Sequence, residues 1–181
     1  DAALLRTNGD VLVATDMLMD GVDFIVGQTP PELIGRKCLA VNLSDLAAMG
    51  AEPVCALVGL TLPRGFPTAA VDDLYTAMES LAAEHGCTIA GGDTSSAAIA
   101  TVGVTVIGRM PSSVAPVLRS GGEPGDLLIV TGPLGGSAAG LAILTGACDA
   151  ATRHADDLIA RHRRPCPLIA EGRILAAGGV S

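Results

Sequence analysis

The sequence predicts a mixed α/β fold of the α+β kind: an N-terminal mixed β-sheet with helices on one face, followed by the start of a second α/β segment. Short Val- and Ile-rich runs are interleaved with longer stretches whose apolar residues recur every three or four positions. Strand and helix patterns alternate along the chain rather than segregating into halves. Hydrophobic residues make up 49 % of the 181 positions while aromatics make up only 2 %, so the core is built from Ala, Val, Leu and Ile, with 23 glycines allowing close backbone approach.

"VLVATDMLMDG" (11–21) opens as an apolar strand and turns polar at Asp16, which places that carboxylate at a strand end. In "TPPELIGRKCLAVNLSDLAAMG" Thr29 can cap, prolines stand at the start and Gly50 stops the helix. "VCALVGLTLP" (54–63) reads as a second strand closed by Pro63. Residues 68–86 form a helix with Thr68 as N-cap candidate, Gly86 just past its end, and a core stripe at 71, 74, 78 and 81. "CTIAGGDT" (87–94) is a short strand over 87–90 that breaks on Gly-Gly before Asp93, and 98–110 is another strand. Strands 54–63, 87–90 and 98–108 are expected in one sheet. Residues 112–126 are dense in Gly, Pro and Ser and read as a connection; 127–146 reads as strand, glycine-rich turn and helix. A charged helix near 156–164 follows, and the chain runs out on "AAGGVS" with no closing element. The expected division is therefore 1–110, a connection at 111–126, and the beginning of a second domain at 127–181. No internal repeat interrupts this order.

The bulk properties exclude several classes. Net charge is −8, from 19 acidic against 11 basic residues, so the basic footprint of a nucleic-acid binder is missing. No apolar run reaches the roughly 18 to 20 residues of a membrane span, and "DAALLRTNGD" lacks the basic and apolar regions of a signal peptide. The five cysteines (38, 55, 87, 148, 166) are odd in number and never in C-x-x-C, which points to reduced thiols in a cytoplasmic protein. The plain reading of the acidic excess is solubility; the sharper one is that aspartates gather around divalent metal.

Three aspartates invite the sharper reading: Asp16, Asp45 and Asp93, with Asp1 as a fourth. Asp45 is the most unusual. At helical spacing it shares a face with Cys38, Val41 and Met49, and Asn42 is its only polar neighbour. A charge on an apolar face needs compensation, and hard cations take oxygen ligands from carboxylates. The Gly-Gly before Asp93 permits backbone contact with a ligand. "TGPLGGSAAG" (131–140) sits between a strand and a helix, where amide groups can cradle phosphate, although it matches neither the P-loop nor G-x-G-x-x-G; tight strand–helix packing explains it equally well. Arg119, in "LRSGG", can pair with phosphate or be an ordinary exposed arginine. His85, His154 and His162 stand at no catalytic or metal spacing, and no nucleophilic triad can be built.

"VATDMLMDGVDF", "IGRKCLAVNLSDLAAMGAEP", "TIAGGDT", "LRSGGEPGDLLIVTGPLGGSAAGLAIL" and "RHRRPCPLIAEG" occur together and in this order. In this the chain resembles the thiamine-monophosphate kinase family, within the superfamily of aminoimidazole-ribonucleotide-synthetase-like ATP enzymes. The resemblance implies an N-terminal ATP- and Mg²⁺-binding domain that dimerises through its sheet. It implies transfer of the γ-phosphoryl of ATP to thiamine monophosphate, with several Mg²⁺ ions between them. Asp1, Thr15, Asp16, Asp45 and Asp93 match the family's metal-binding positions, Gly92, Asp93 and Arg119 its ATP-contacting ones. Asp23 stands in "GVDF" where the family usually has a substrate-contacting histidine, and Ala14 where it often has a hydroxyl residue. The Gly-rich lead into Asp1 and the "SDGL" acid motif after "AAGGVS" are missing, so the resemblance implies a piece lacking most of the C-terminal domain. Two other readings stay open: a sister ATP-dependent synthetase or ligase, which shares the fold and ATP logic but is not expected to carry "NLSDLAAMGA" with "LRSG…PGD" in this form and is kept open by Asp23, and a non-catalytic nucleotide-binding dimerisation module.

Overall fold

Along residues 101–107, Val102, Val104 and Val106 are buried while the residues between them are not, the period-two signature of a strand packed on one face. That strand is the centre of the fold. The computed structural model describes residues 9–148 and 153–180. The strands are β1 (Val11–Met19), β2 (Glu52–Leu62), β3 (Thr88–Ser96) and β4 (Thr101–Arg109), and the helices α1 (Pro31–Ala48), α2 (Thr68–Glu84), α3 (Gly136–Leu144), α4 (Ala155–Arg163) and α5 (Ile169–Ala177). They form one four-stranded sheet in the order β1-β4-β2-β3. β4 is antiparallel to both β1 and β2, and β2 runs parallel to β3. The sheet is thus mixed, as the sequence predicts, with α1 packed over the buried even-numbered residues of β1, β2 and β4 and α2 against α1 and β3.

The helices pack closely because small residues let them. Gly35 of α1 lies against the Leu74 carbonyl of α2 with no room for a Cβ. Leu39, Leu43 and Leu46 from α1 and Leu74, Met78 and Leu81 from α2 fill the core above Val58, Val102, Val104 and Val106. Each of these large helices ends in a Schellman turn. Ala51 N–H donates to Leu46 O and Gly50 N–H to Ala47 O; Cys87 N–H donates to Ala82 O and Gly86 N–H to Ala83 O. Gly50 and Gly86, with φ of 78° and 65°, hold the left-handed positions this motif needs. Neither helix is capped at its start by a side chain. The N-caps are Pro30 and Pro67, so Thr29 and Thr68 do not serve as the sequence predicts.

Several other expectations are corrected by long-range pairing. β1 continues to Met19 because β4 offers it partners as far as Thr101, which puts Asp16 inside the strand and not at its end. β3 does not stop at Gly91-Gly92. A bulge at Ala90 shifts the register, and the strand pairs with β2 through Ser96. Gly92 is needed there because the Val58 carbonyl of β2 occupies the space a Cβ would take. Residues 127–131 form no strand, and Leu127 to Val130 are exposed.

The described residues divide into two compact units: those up to Gly121 together with those from Cys166 onward, and Gly122–Pro165. The first unit holds a further helix that the sequence did not show. α5 packs on α1 in the first unit, where Gly172 meets the Ala47 carbonyl with no space for a side chain. Glu52 of β2 ties it down further, accepting Arg173 of α5 and Arg109 of β4. The second unit is the α3–α4 pair, closed by Gly140 against the Leu158 carbonyl.

Candidate functional site

α1 holds the edge strand β1 and the turn that follows it by side-chain-to-backbone hydrogen bonds. Asn42, fully buried, accepts the Asp16 N–H at Oδ1 (2.8 Å) and donates through Nδ2 to the Cys38 carbonyl (2.9 Å). One helical turn earlier, Lys37 Nζ donates to the Asp23 carbonyl (2.8 Å). Burial pushes the Lys37 amine below its ordinary value, and the neighbouring Asp23 carboxylate partly offsets this. Burial pushes the adjacent Cys38 thiol up to about 12.

Asp45 is exposed. The apolar face expected around it does not enclose it, although Cys38 on the same stripe is fully buried. The buried polar position belongs instead to Asn42. Asn42 grips the Asp16 peptide and Asp45 follows Asn42 by three residues, so α1 brings Asp45 within one helical turn of the amide that holds Asp16.

The other predicted residues are placed elsewhere. Asp1 lies outside the described residues. Thr15 points to the opposite sheet face from Asp16, donating to the Val104 carbonyl (3.1 Å) and standing 3.0 Å from Thr105 Oγ1. Asp93 also belongs to that opposite face, in the register row Met17–Gly103–Gly59–Asp93. β1 and β3 are the two edges of the sheet, three strand spacings apart, or about 14 Å. Asp93 and Gly92 are therefore not brought to Asp16 and Asp45 within one chain. Arg119 is exposed. Asp23 is half-buried, and its Oδ2 accepts the Met19 N–H (2.9 Å), closing the turn after β1. Among the described residues no three His, Cys, Asp or Glu side chains gather where one ion could touch them all.

Sequence reasoning missed Asn42 and Lys37 as the residues that organise this region. The available signal was their spacing from Asp45 on α1; what they grip lies on another element and leaves no mark in local sequence. In the second unit, Gly135 and Gly136 open α3 beside Arg161, in a cleft of about 470 Å³ that His154 and Asp157 also line.

Residues 1–110 match the family model of the AIR synthase related protein, N-terminal domain, and the chain belongs to that family. Within it, the chain is 39 % identical over 179 residues to the thiamine-monophosphate kinase of Bacillus subtilis, covering 96 % of this chain and 55 % of that protein. It is 40 % identical to that of Escherichia coli over 97 % of this chain and 54 % of the relative. The crystal structure of thiamine monophosphate kinase from Aquifex aeolicus superposes with a TM-score of 0.84 at 31 % identity, over 92 % of this chain and 55 % of that one. A ThiL structure complexed with AMPPCP and TMP superposes equally well, with a TM-score of 0.84 at 31 % identity over 92 % of this chain and 52 % of that one. The chain spans about half the length of the curated relatives it matches. The fold class predicted from sequence is confirmed by these likenesses.

Proposed function

We propose that this chain is the ATP- and metal-binding part of a thiamine-monophosphate kinase, which moves the γ-phosphoryl of ATP onto thiamine monophosphate to give thiamine diphosphate. The observation that carries the reading is the Asn42 bond to the Asp16 amide, three positions from Asp45 on α1, in a chain 39–40 % identical to enzymes of that name. The donor set fits Mg²⁺, which takes one or two carboxylates and completes its shell with water and substrate phosphates rather than with a protein cage. Asp16 and Asp45 would hold it. Bound there, Mg²⁺ would neutralise the phosphate charge that opposes transfer between two anions.

Thr15 does not fit this set through its hydroxyl, which is spent on the other face of the sheet. Asp93 with Gly92, and the exposed Arg119, are proposed as ATP contacts. Several metal ions, Asp1 among their ligands, and a homodimer in the cytoplasm complete the reading. Among the described residues no helix is long and apolar enough to cross a membrane. Asp23, the residue that favoured a sister ligase, has its carboxylate on the Met19 amide, and that supports a turn-closing role over substrate recognition.

Full-length protein incubated with ATP, Mg²⁺ and thiamine monophosphate tests the activity. Thiamine diphosphate and ADP are expected in equal amounts, and absence of thiamine diphosphate would reject it. Transfer is direct, so an acid-stable phosphoprotein trapped during turnover would overturn that part.

A further inference from the structure

Asn42 is the one polar side chain in the buried core among the described residues. A buried amide left unpaired keeps its full desolvation cost, and here both of its ends are used. Its orientation is unambiguous, because the Cys38 carbonyl can only accept and the Asp16 N–H can only donate. The two bonds differ in kind. The bond to Cys38 stays within α1 and fixes the rotamer. The bond to Asp16 leaves the helix and crosses 26 residues of chain to a strand peptide. β1 is the edge of the sheet, so its outward N–H groups have no neighbouring strand. Asn42 stands in for that strand at a single residue, and that residue is Asp16.

Resting on the metal reading above, we propose that Asn42 is a positioning residue for the metal site. It pins the Asp16 backbone to α1, so the spacing between the Asp16 and Asp45 carboxylates is set by one rigid amide rather than by a free strand edge. Both carboxylates would then hold the same divalent cation. Groups that hold a ligand without touching the metal are worth on the order of 10–100-fold in metal affinity.

The test uses Mn²⁺ alone as the probe, on full-length protein without nucleotide, with bound metal read by electron paramagnetic resonance. Asn42→Leu puts an apolar side chain of similar size in its place in the core and removes the acceptor for Asp16. Leu43→Ala, a fully buried neighbour on α1, lowers stability without touching Asp16 and reports what general loosening does. The expected result is Mn²⁺ binding weakened on the order of 10–100-fold in Asn42→Leu and unchanged in Leu43→Ala. If Asn42→Leu does not fold, Asn42→Ser is measured with the same expectation. Parent-like binding in the Asn42 variant, or an equal loss in Leu43→Ala, overturns the positioning role alone. A parent protein that binds no Mn²⁺ overturns the metal reading and this inference with it.

Discussion

Asn42 and Asp45 stand three positions apart on α1 and meet opposite environments, one sealed in the core and one in solvent. Replacing the exposed acid should therefore leave the fold alone. Asp45→Asn is expected to shift stability by no more than about 0.5 kcal/mol while abolishing Mg²⁺-dependent ATP binding; calorimetry with and without Mg²⁺, beside a thermal melt, checks both halves. Normal Mg·ATP binding by the folded variant contradicts a metal role. Cys38 makes a different prediction. Its thiol, ordinarily at 9.0, is pushed up to about 12 by burial within the fold. Below pH 9 both states keep the proton and nothing changes. Between 9 and 12 only the unfolded chain releases it, so stability falls as pH rises through that window. Cys87, raised to about 11, adds to the same trend. Lys37, lowered by burial, opposes it: below 10.5 unfolding lets it regain a proton, so its contribution to stability rises with pH. The melting temperature of Cys38→Ala should decline less steeply above pH 9 than that of the parent, and parallel declines would refute the assignment.

At the scale of elements, the sheet and its two long helices are joined where a side chain would not fit. Gly35 against the Leu74 carbonyl sets the α1–α2 distance, so Gly35→Val should force the helices apart and cost about 1–3 kcal/mol. Urea unfolding with a lower midpoint and an unchanged slope is the expected readout; an unshifted midpoint would show that the crossing can relax. The features legible in sequence are those set locally. The stripe on α2 reads from its spacing, and Gly50 and Gly86 announce the helix ends because a Schellman turn needs its left-handed residue a fixed step past the helix. What was not legible depends on distant partners. The length of β1 follows from β4, and β3 runs through Gly91-Gly92 because the Val58 carbonyl of β2 lies where a Cβ would go. α5 is apolar and short, and only its fit against Ala47 of α1 reveals its place. The candidate site divides the same way. Asp16 and Asp45 could be named from sequence, but the residue that unites them could not, because its bond spans two elements.

At the scale of the whole molecule, the odd-numbered face of the sheet carries Asp93 on one edge strand and an exposed apolar patch on the other. Val13 and Met17 are 64 % and 66 % exposed there, beside a floor of Gly59 and Gly103 in the centre of the sheet. The helices of the first unit pack on the other face, so these two apolar side chains have no cover among the described residues. A second copy presenting the same face would bury them isologously, and a flat glycine floor lets another backbone or a methionine approach closely. A stable interface of this sort buries about 800 Å² from each partner, within the reach of a four-stranded sheet. The proposed homodimer therefore has a specific weak point. Full-length protein should sediment at twice its chain mass, and Val13→Lys combined with Met17→Lys should sediment at the chain mass with an unchanged far-ultraviolet dichroism spectrum. Both substitutions lie on the face away from Asn42 and Asp45, so Mn²⁺ binding at those acids is expected to survive the loss of the partner. A parent that sediments as a monomer, or a double variant that remains dimeric, would remove this face from the assembly.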